Sequence, residues 1–521
     1  MRTIVFVSGA VLMSLEMLGS RILAPYFGNS IFVWGSLISV FLAALTLGYS
    51  IGGSVADKKP YLRMLALILA IPGFCIVLLP LVMGPINRFI AGLDLGSRLG
   101  PLITAVVLFF IPSVFMGMVS PFAIKLKVKG LDTVGNTAGS LYAVSTLGSI
   151  AGTLGTSFFL ITWIGVRKIL YLLGAIMLVA AALVWLFAQK QESQPQDTAQ
   201  GPRKGGKKKG KKGKGAVMLL LLVAIVGGQA QAGTLGSNAD TIVYEKDSLY
   251  HHISVVDSGG LRFLKFDASW QSAMSLTKPL ELIFPYTEYF HLGMLLRPEA
   301  KEVLMVGLGG GSVPKNFRVN YPGVAMDAAD IDPEVIRVAK TYFMVKEDDM
   351  LRLIARDGRI YLHQTKKKYD LLFFDAYFAD AIPFHLATQE YLREVFNALT
   401  PDGVVVANII GAFTGPKSRF FRSIYKTYTT VFPYVYAFSV GDFIGGIPND
   451  EPQNIILIAV KGDKAPDWQA LQAKANEMTA TMRLPSNLPK MLETRISMDI
   501  QTHDVPVLTD DYAPVDYLIA F

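Results

Sequence analysis

The sequence predicts a multi-pass α-helical membrane domain followed by a small antiparallel β-sheet and a doubly wound α/β domain. Three observations carry this: long apolar runs confined to the first 189 residues, an abrupt change of composition near residue 190, and apolar strands alternating with amphipathic helices beyond residue 300. With 521 residues the chain exceeds the roughly 250 to 300 at which one soluble core stops growing, so several units are expected.

Residues 1–189 hold only 12 basic and 4 acidic residues and read as six spans, 3–24, 31–55, 64–84, 101–123, 138–163 and 169–188. Each is close to the roughly 20 residues that cross a bilayer core, and their recurrence argues against a cleaved signal peptide. Lys58, Lys59 and Arg63 follow the second span, Lys125, Lys127 and Lys129 the fourth, and the run 203–214 the sixth. These loops share a side with the amino terminus, and an excess of Lys and Arg marks that side as cytoplasmic. The expected location is therefore the cell membrane, with lipids as partners. Glu16 and Arg21 are charges inside the first span, where a structural pairing or snorkelling of Arg21 is expected as readily as a substrate pathway. Glycines at 48, 52 and 53, and at 148, 152 and 155, predict close helix packing.

Residues 190–215 form a Lys/Gly-rich linker expected to be disordered. The formal charge of +8 resides there: 203–214 carries eight basic and no acidic residues, and the rest of the chain holds 41 of each. Without interleaved aromatics to stack on bases, the run predicts no nucleic-acid partner. Residues 216–232 begin with a continuous apolar stretch and read as a seventh span or an interfacial helix, which leaves open the side on which the remainder lies. From 216 onward there are 28 basic and 35 acidic residues. The single cysteine, Cys75, excludes a disulfide framework. All six histidines follow residue 250, and His251 with His252, on opposite faces of a strand, cannot grip one ion, so no metal is expected.

Short alternating runs in 241–280 predict the small sheet, and 281–521 the α/β domain, with strands at 302–306, 325–331, 370–374, 403–408 and 455–460. The first of these runs into Gly307-Leu308-Gly309-Gly310-Gly311-Ser312 and a helix start, where a ligand can approach the backbone closely. The second ends at Asp330, placed to take both hydroxyls of a ribose. Asp357, with Gly358 and a short strand after it, is placed to accept from an adenine amino group, and Asp375 is delivered to the carboxyl edge of the sheet. Four such sites at one edge indicate an adenosyl sulfonium, hence a Rossmann-like domain of methyltransferase type; a nicotinamide fingerprint would want Gly or Ala at Ser312.

These residues resemble the spermidine synthases, or polyamine aminopropyltransferases, in a membrane-fused form. The likeness rests on 248–251, 264–267 with Gln271, Tyr286-Thr287-Glu288, the glycine loop, Asp330-Ile331-Asp332-Pro333, Asp357-Gly358-Arg359, Phe374-Asp375 and Leu508-Thr509-Asp510-Asp511-Tyr512-Ala513-Pro514. In the membrane part, Glu16, 21–28 and 48–59 contribute to it. The resemblance implies transfer of an aminopropyl group from decarboxylated S-adenosylmethionine, as co-substrate, to putrescine or a related amine. It further implies that Asp375 is the base, that Gly307, Gly309, Asp330, Asp357, Gly358 and Pro383 hold the donor, that His251, Gln271 and Tyr286 line the amine side, and that the protein pairs as a homodimer through its catalytic domain.

Departures accompany the likeness. Gly310 stands where the family carries a donor-side aspartate, and Phe378 where it carries a second aspartate after the base, with Asp380 available from a shifted loop. His251 and Thr287 also replace usual residues. S-adenosylmethionine-dependent methyl or alkyl transfer, and a non-catalytic transporter or sensor binding an adenosyl ligand or polyamine, are the alternatives.

Overall fold

The computed structural model describes residues 1–28, 31–93, 95–128, 130–192, 240–248, 250–267, 269–377, 382–482 and 487–519. The linker beyond 192, the apolar run at 216–232, Phe378 and Asp380 lie outside the described residues.

Six helices are long and apolar enough to cross a membrane: α1 (Arg2–Phe27), α2 (Ile31–Lys58), α3 (Leu62–Gly92), α4 (Arg98–Lys127), α5 (Val134–Trp163) and α6 (Val166–Lys190). They associate chiefly as α1 with α5, α2 with α4 and α3 with α6. Glycine permits the first two approaches: a Cβ at Gly148 would stand 2.1 Å from the Phe6 carbonyl oxygen, and one at Gly48 2.3 Å from that of Val114. Gly53 and Gly155 face open space, so the expected packing role does not extend to them.

The small sheet is an antiparallel meander of β1 (Thr241–Asp247), β2 (His252–Ser258), β3 (Leu261–Phe266) and β4 (Ser269–Ser275). Its apolar face, with Ile253, Val255, Leu264 and Phe266, is buried against Val335 and Val338 of the following unit.

The larger sheet comprises β5 (Glu302–Val306), β6 (Ala325–Asp330), β7 (Leu351–Ala355), β8 (Tyr369–Phe374), β9 (Leu399–Gly411), β10 (Tyr434–Ser439) and β11 (Gln453–Val460), in the order β7-β6-β5-β8-β9-β11-β10. Only β11 runs against the rest. Its central strands are near-continuous apolar runs because helices cover both faces. Helices α7 (Ser312–Asn320), α8 (Pro333–Tyr342) and α9 (Gly358–Gln364) follow β5, β6 and β7. The expected strand after Asp357 is instead α9, and the edge strand β7 lies before it. The reason is local: the Asp357 carboxylate accepts from the amides of Arg359 and Ile360, which a helix start leaves unpaired. Such a cap is worth about 1 kcal/mol. Strand order reverses between β5 and β8, and ligands bind open α/β sheets at the carboxyl edge of such a switch point.

Candidate active site

At that edge lies a cavity of about 560 Å³. It brings together Gly307, Gly309, Asp330, Asp357, Gly358 and Asp375 from the strand ends. His251, Gln271 and Tyr286 enter from the small sheet and the segment after it, and Pro383 from the loop beyond β8. Every predicted site residue that falls among the described residues is therefore on its wall.

The loop after β5 is shaped by close approach. Gly307 has φ 94°, and a Cβ there would lie 2.2 Å from the Asp375 carbonyl oxygen, so no other residue lets β5 and β8 deliver their ends side by side. Asp330 is oriented by the backbone, accepting from Leu308 N–H at 3.0 Å and from Asp332 N–H at 3.0 Å. Burial raises its pKa and those amides oppose the rise.

Asp375 is the most perturbed carboxylate of the group. One oxygen accepts from Tyr286 Oη at 3.0 Å and the other from Asn408 Nδ2 at 2.9 Å. Asn408 is itself held, its Oδ1 accepting from Asn454 Nδ2 at 2.9 Å and its carbonyl from Tyr377 Oη at 2.9 Å. Burial pushes Asp375 up to about 6, against the lowering effect of the Asn408 and Tyr286 hydrogen bonds. The carboxyl group is thus fixed in direction and poised near neutrality.

On the opposite wall, the second oxygen of Asp357 accepts from His385 Nε2 at 2.9 Å. Burial raises the Asp357 pKa, but His385 and the α9 amides more than offset this and leave it below the usual carboxylate value. His385 was not foreseen; a histidine beside a proline turn carries no motif, and its buried Nδ1 finds no hydrogen-bond partner among the described residues. His251 stacks on Phe266 with centroids 4.4 Å apart, and burial lowers its pKa, which favours the neutral ring.

Gly310 is not an empty aspartate position. Its N–H donates to Ser272 Oγ at 2.8 Å, and an added Cβ would stand 2.8 Å from Ser272 Cβ and 3.0 Å from the Phe343 ring. Gly310→Asp is therefore expected to lower the thermal midpoint and the activity rather than restore a family contact. A variant as stable and active as the parent would show that the loop can yield.

Sequence reasoning also missed the roof. Ser20 and Arg21 of α1 and Trp34 of α2 line the same cavity. Arg21 does not pair with Glu16: its guanidinium donates to Ala513 O at 2.8 Å and to Asp516 at 3.3 Å, and lies 4.5 Å from the Phe384 ring centroid. Of the structural pairing, snorkelling and substrate pathway expected for Arg21, the structure has a pairing, made with Asp516 beyond the bundle and at the wall of the site.

Residues 283–441 match the family model described as the spermine/spermidine synthase domain. The polyamine aminopropyltransferase of Vibrio vulnificus is 30% identical over 290 residues, covering 53% of this chain and 91% of that protein. That of Chromobacterium violaceum is 27% identical over 229 residues, 43% of this chain and 83% of the relative. A solved spermidine synthase in complex with the transition-state analogue AdoDATO aligns at 19% identity and TM-score 0.41, over 50% of this chain and 85% of its own. A relative with this identity, matched across nine-tenths of its length, settles the kinship: the chain belongs to the polyamine aminopropyltransferase, or spermidine synthase, family and is an aminopropyltransferase.

Proposed function

We propose that the protein is a membrane-bound aminopropyltransferase that moves the aminopropyl group of decarboxylated S-adenosylmethionine to putrescine or a related amine, with its amino terminus and Lys-rich linker in the cytoplasm. The observation that carries the chemistry is Asp375, buried, aimed by two hydrogen bonds and pushed up to about 6 at the strand edge. In this reading Asp330 takes the ribose hydroxyls and Asp357 with Gly358 faces the adenine. Pro383 flanks the base, and His251, Gln271 and Tyr286 line the aminopropyl and amine channel.

An alkylammonium has no lone pair, so the acceptor must first release a proton, and Asp375 receives it. The gap between a free amine near 10 and a base near 6 would cost about 5 kcal/mol in water; burial narrows it by disfavouring the ammonium. The neutral nitrogen then attacks the aminopropyl carbon. The C–S bond breaks with its electron pair going to sulfur, and methylthioadenosine leaves as a neutral thioether. Carboxylates around the cavity favour both cations before transfer.

Methyl transfer is the competing reading, favoured by Gly310, whose surroundings leave no room for a donor-side carboxylate. Product masses from the full-length protein with putrescine and either decarboxylated S-adenosylmethionine or S-adenosylmethionine separate the two. The expected outcome is spermidine and methylthioadenosine from the first donor only. A methylated amine from the second would overturn the assignment.

A further inference from the structure

We infer that the catalytic domain sits on the extracytoplasmic face of the membrane, so that the reaction takes its two cationic substrates from that side. The inference rests on the membrane reading proposed above and adds the side on which the chemistry occurs.

The described contacts between bundle and catalytic domain gather at one end of the bundle. Arg21 near the end of α1 reaches Ala513 and Asp516, and Gly28 lies against Asp357. At the junction of α5 and α6, Thr162 O accepts from Tyr512 Oη at 2.6 Å. There Val166 N–H donates to Asp511 O at 2.8 Å, and Arg167 N–H to Asp511 Oδ1 at 2.7 Å.

The opposite end carries the start of α1 and the ends of α2, α4 and α6, with Lys125 paired to Asp57 at 2.6 Å. Helix α6 leaves the docked end at Val166 and reaches Lys190 after 25 residues. At 1.5 Å per residue that is about 37 Å, the thickness of a bilayer.

Parity follows. Six spans return the chain to the side of Met1, whereas β1 begins at Thr241 on a domain docked at the other side. The inferred placement therefore requires one more crossing between the sixth span and β1, whichever way the bundle is oriented. The sequence supplies what a crossing needs, since 215–239 contains no charged residue.

Charge then fixes the direction. The Met1 end of the bundle holds eight basic residues and 203–214 another eight, against Arg21, Arg88, Arg98, Arg167 and Lys168 toward the docked end. Lys and Arg concentrate on the cytoplasmic side, so the docked end faces outward. Neither a sulfonium nor an ammonium crosses hydrocarbon unaided. A transport or export step for such cations must accordingly precede this reaction.

The lone cysteine makes the test direct. In full-length protein carrying Cys75→Ala, single cysteines at Lys59→Cys (basic end) and Lys464→Cys (exposed on the catalytic domain) are treated in intact cells with a membrane-impermeant maleimide. Lys464→Cys is expected to be labelled at least tenfold more than Lys59→Cys, with the difference lost after detergent. Equal labelling of the two in intact cells overturns the extra crossing, and preferential labelling of Lys59→Cys overturns the outward direction. Labelling needs no turnover, so inactivity of the same protein would count against the proposed reaction and leave the side standing.

Discussion

Asp375→Asn is expected to lower kcat by about 10² to 10⁴-fold, the usual contribution of a positioned general base, while raising the thermal midpoint. The amide can keep both contacts, its oxygen accepting from Asn408 and its nitrogen donating to Tyr286 Oη, so geometry survives while basicity is lost. The stability gain follows from linkage. A carboxyl raised from 3.8 to about 6 binds its proton more tightly folded than unfolded. Its burden is absent below 3.8, grows as pH rises through about 6 and is complete above that. Two units correspond to at most about 3 kcal/mol, which the neutral amide relieves. The parent enzyme should lose kcat/KM tenfold per unit as pH falls below about 6, and the variant should show a flat residual rate. A variant that keeps a tenth of the rate would exclude Asp375 as the base, and one that melts lower than the parent would exclude the burden of its buried charge.

Arg359→Ala is expected to cost about 3 to 5 kcal/mol, the range for removing one partner from a buried ion pair. The guanidinium is 3% exposed and grips two carboxylates bidentately, Glu394 at 2.8 and 2.9 Å and Asp510 at 2.7 Å through both oxygens, while also donating to His385 O at 2.9 Å. Burial opposes its charge, and the carboxylates outweigh that and raise its pKa. Truncation leaves Asp510 and Glu394 facing each other and frees the turn that holds His385 against Asp357, so donor KM should rise as well. Urea titration with proteolysis as readout measures the stability term; a loss below about 1 kcal/mol would mean that water replaces the guanidinium. Arg359→Lys should recover little, because an ammonium cannot reproduce the fork.

The legible parts of the fold were those with one strong local signal. Strands β5, β8, β9 and β11 carry apolar runs bounded by turn residues, and β6 is marked by the Asp330 at its end. The edge strand β7, with Arg352 reaching to Asp327 at 2.9 to 3.0 Å, has only one strongly buried position and escaped notice. The short strand expected after Asp357 is overridden by an aspartate cap, which starts a helix of seven residues. In the site, residues at strand ends could be read because the fold itself places them at the ligand edge. Asn408 and His385 could not, since each acts only by touching a carboxylate distant in sequence. The roof is the extreme case: Ser20, Arg21 and Trp34 lie more than 200 residues from the sheet they cover.

One joint has a further bearing on how such a chain could have been assembled. The carboxyl-terminal turn grips inward through the Asp510 side chain and outward through its neighbour, Asp511, which meets peptide groups of the bundle. Backbone amides are presented by any helix beginning, so a catalytic ancestor would have needed little new vocabulary to take on the helical bundle. The demanding term is Gly165, where a methyl group would fall 2.2 Å from Asp511 Oδ2. Lineages free to vary 162–167 elsewhere should have kept that one residue bare.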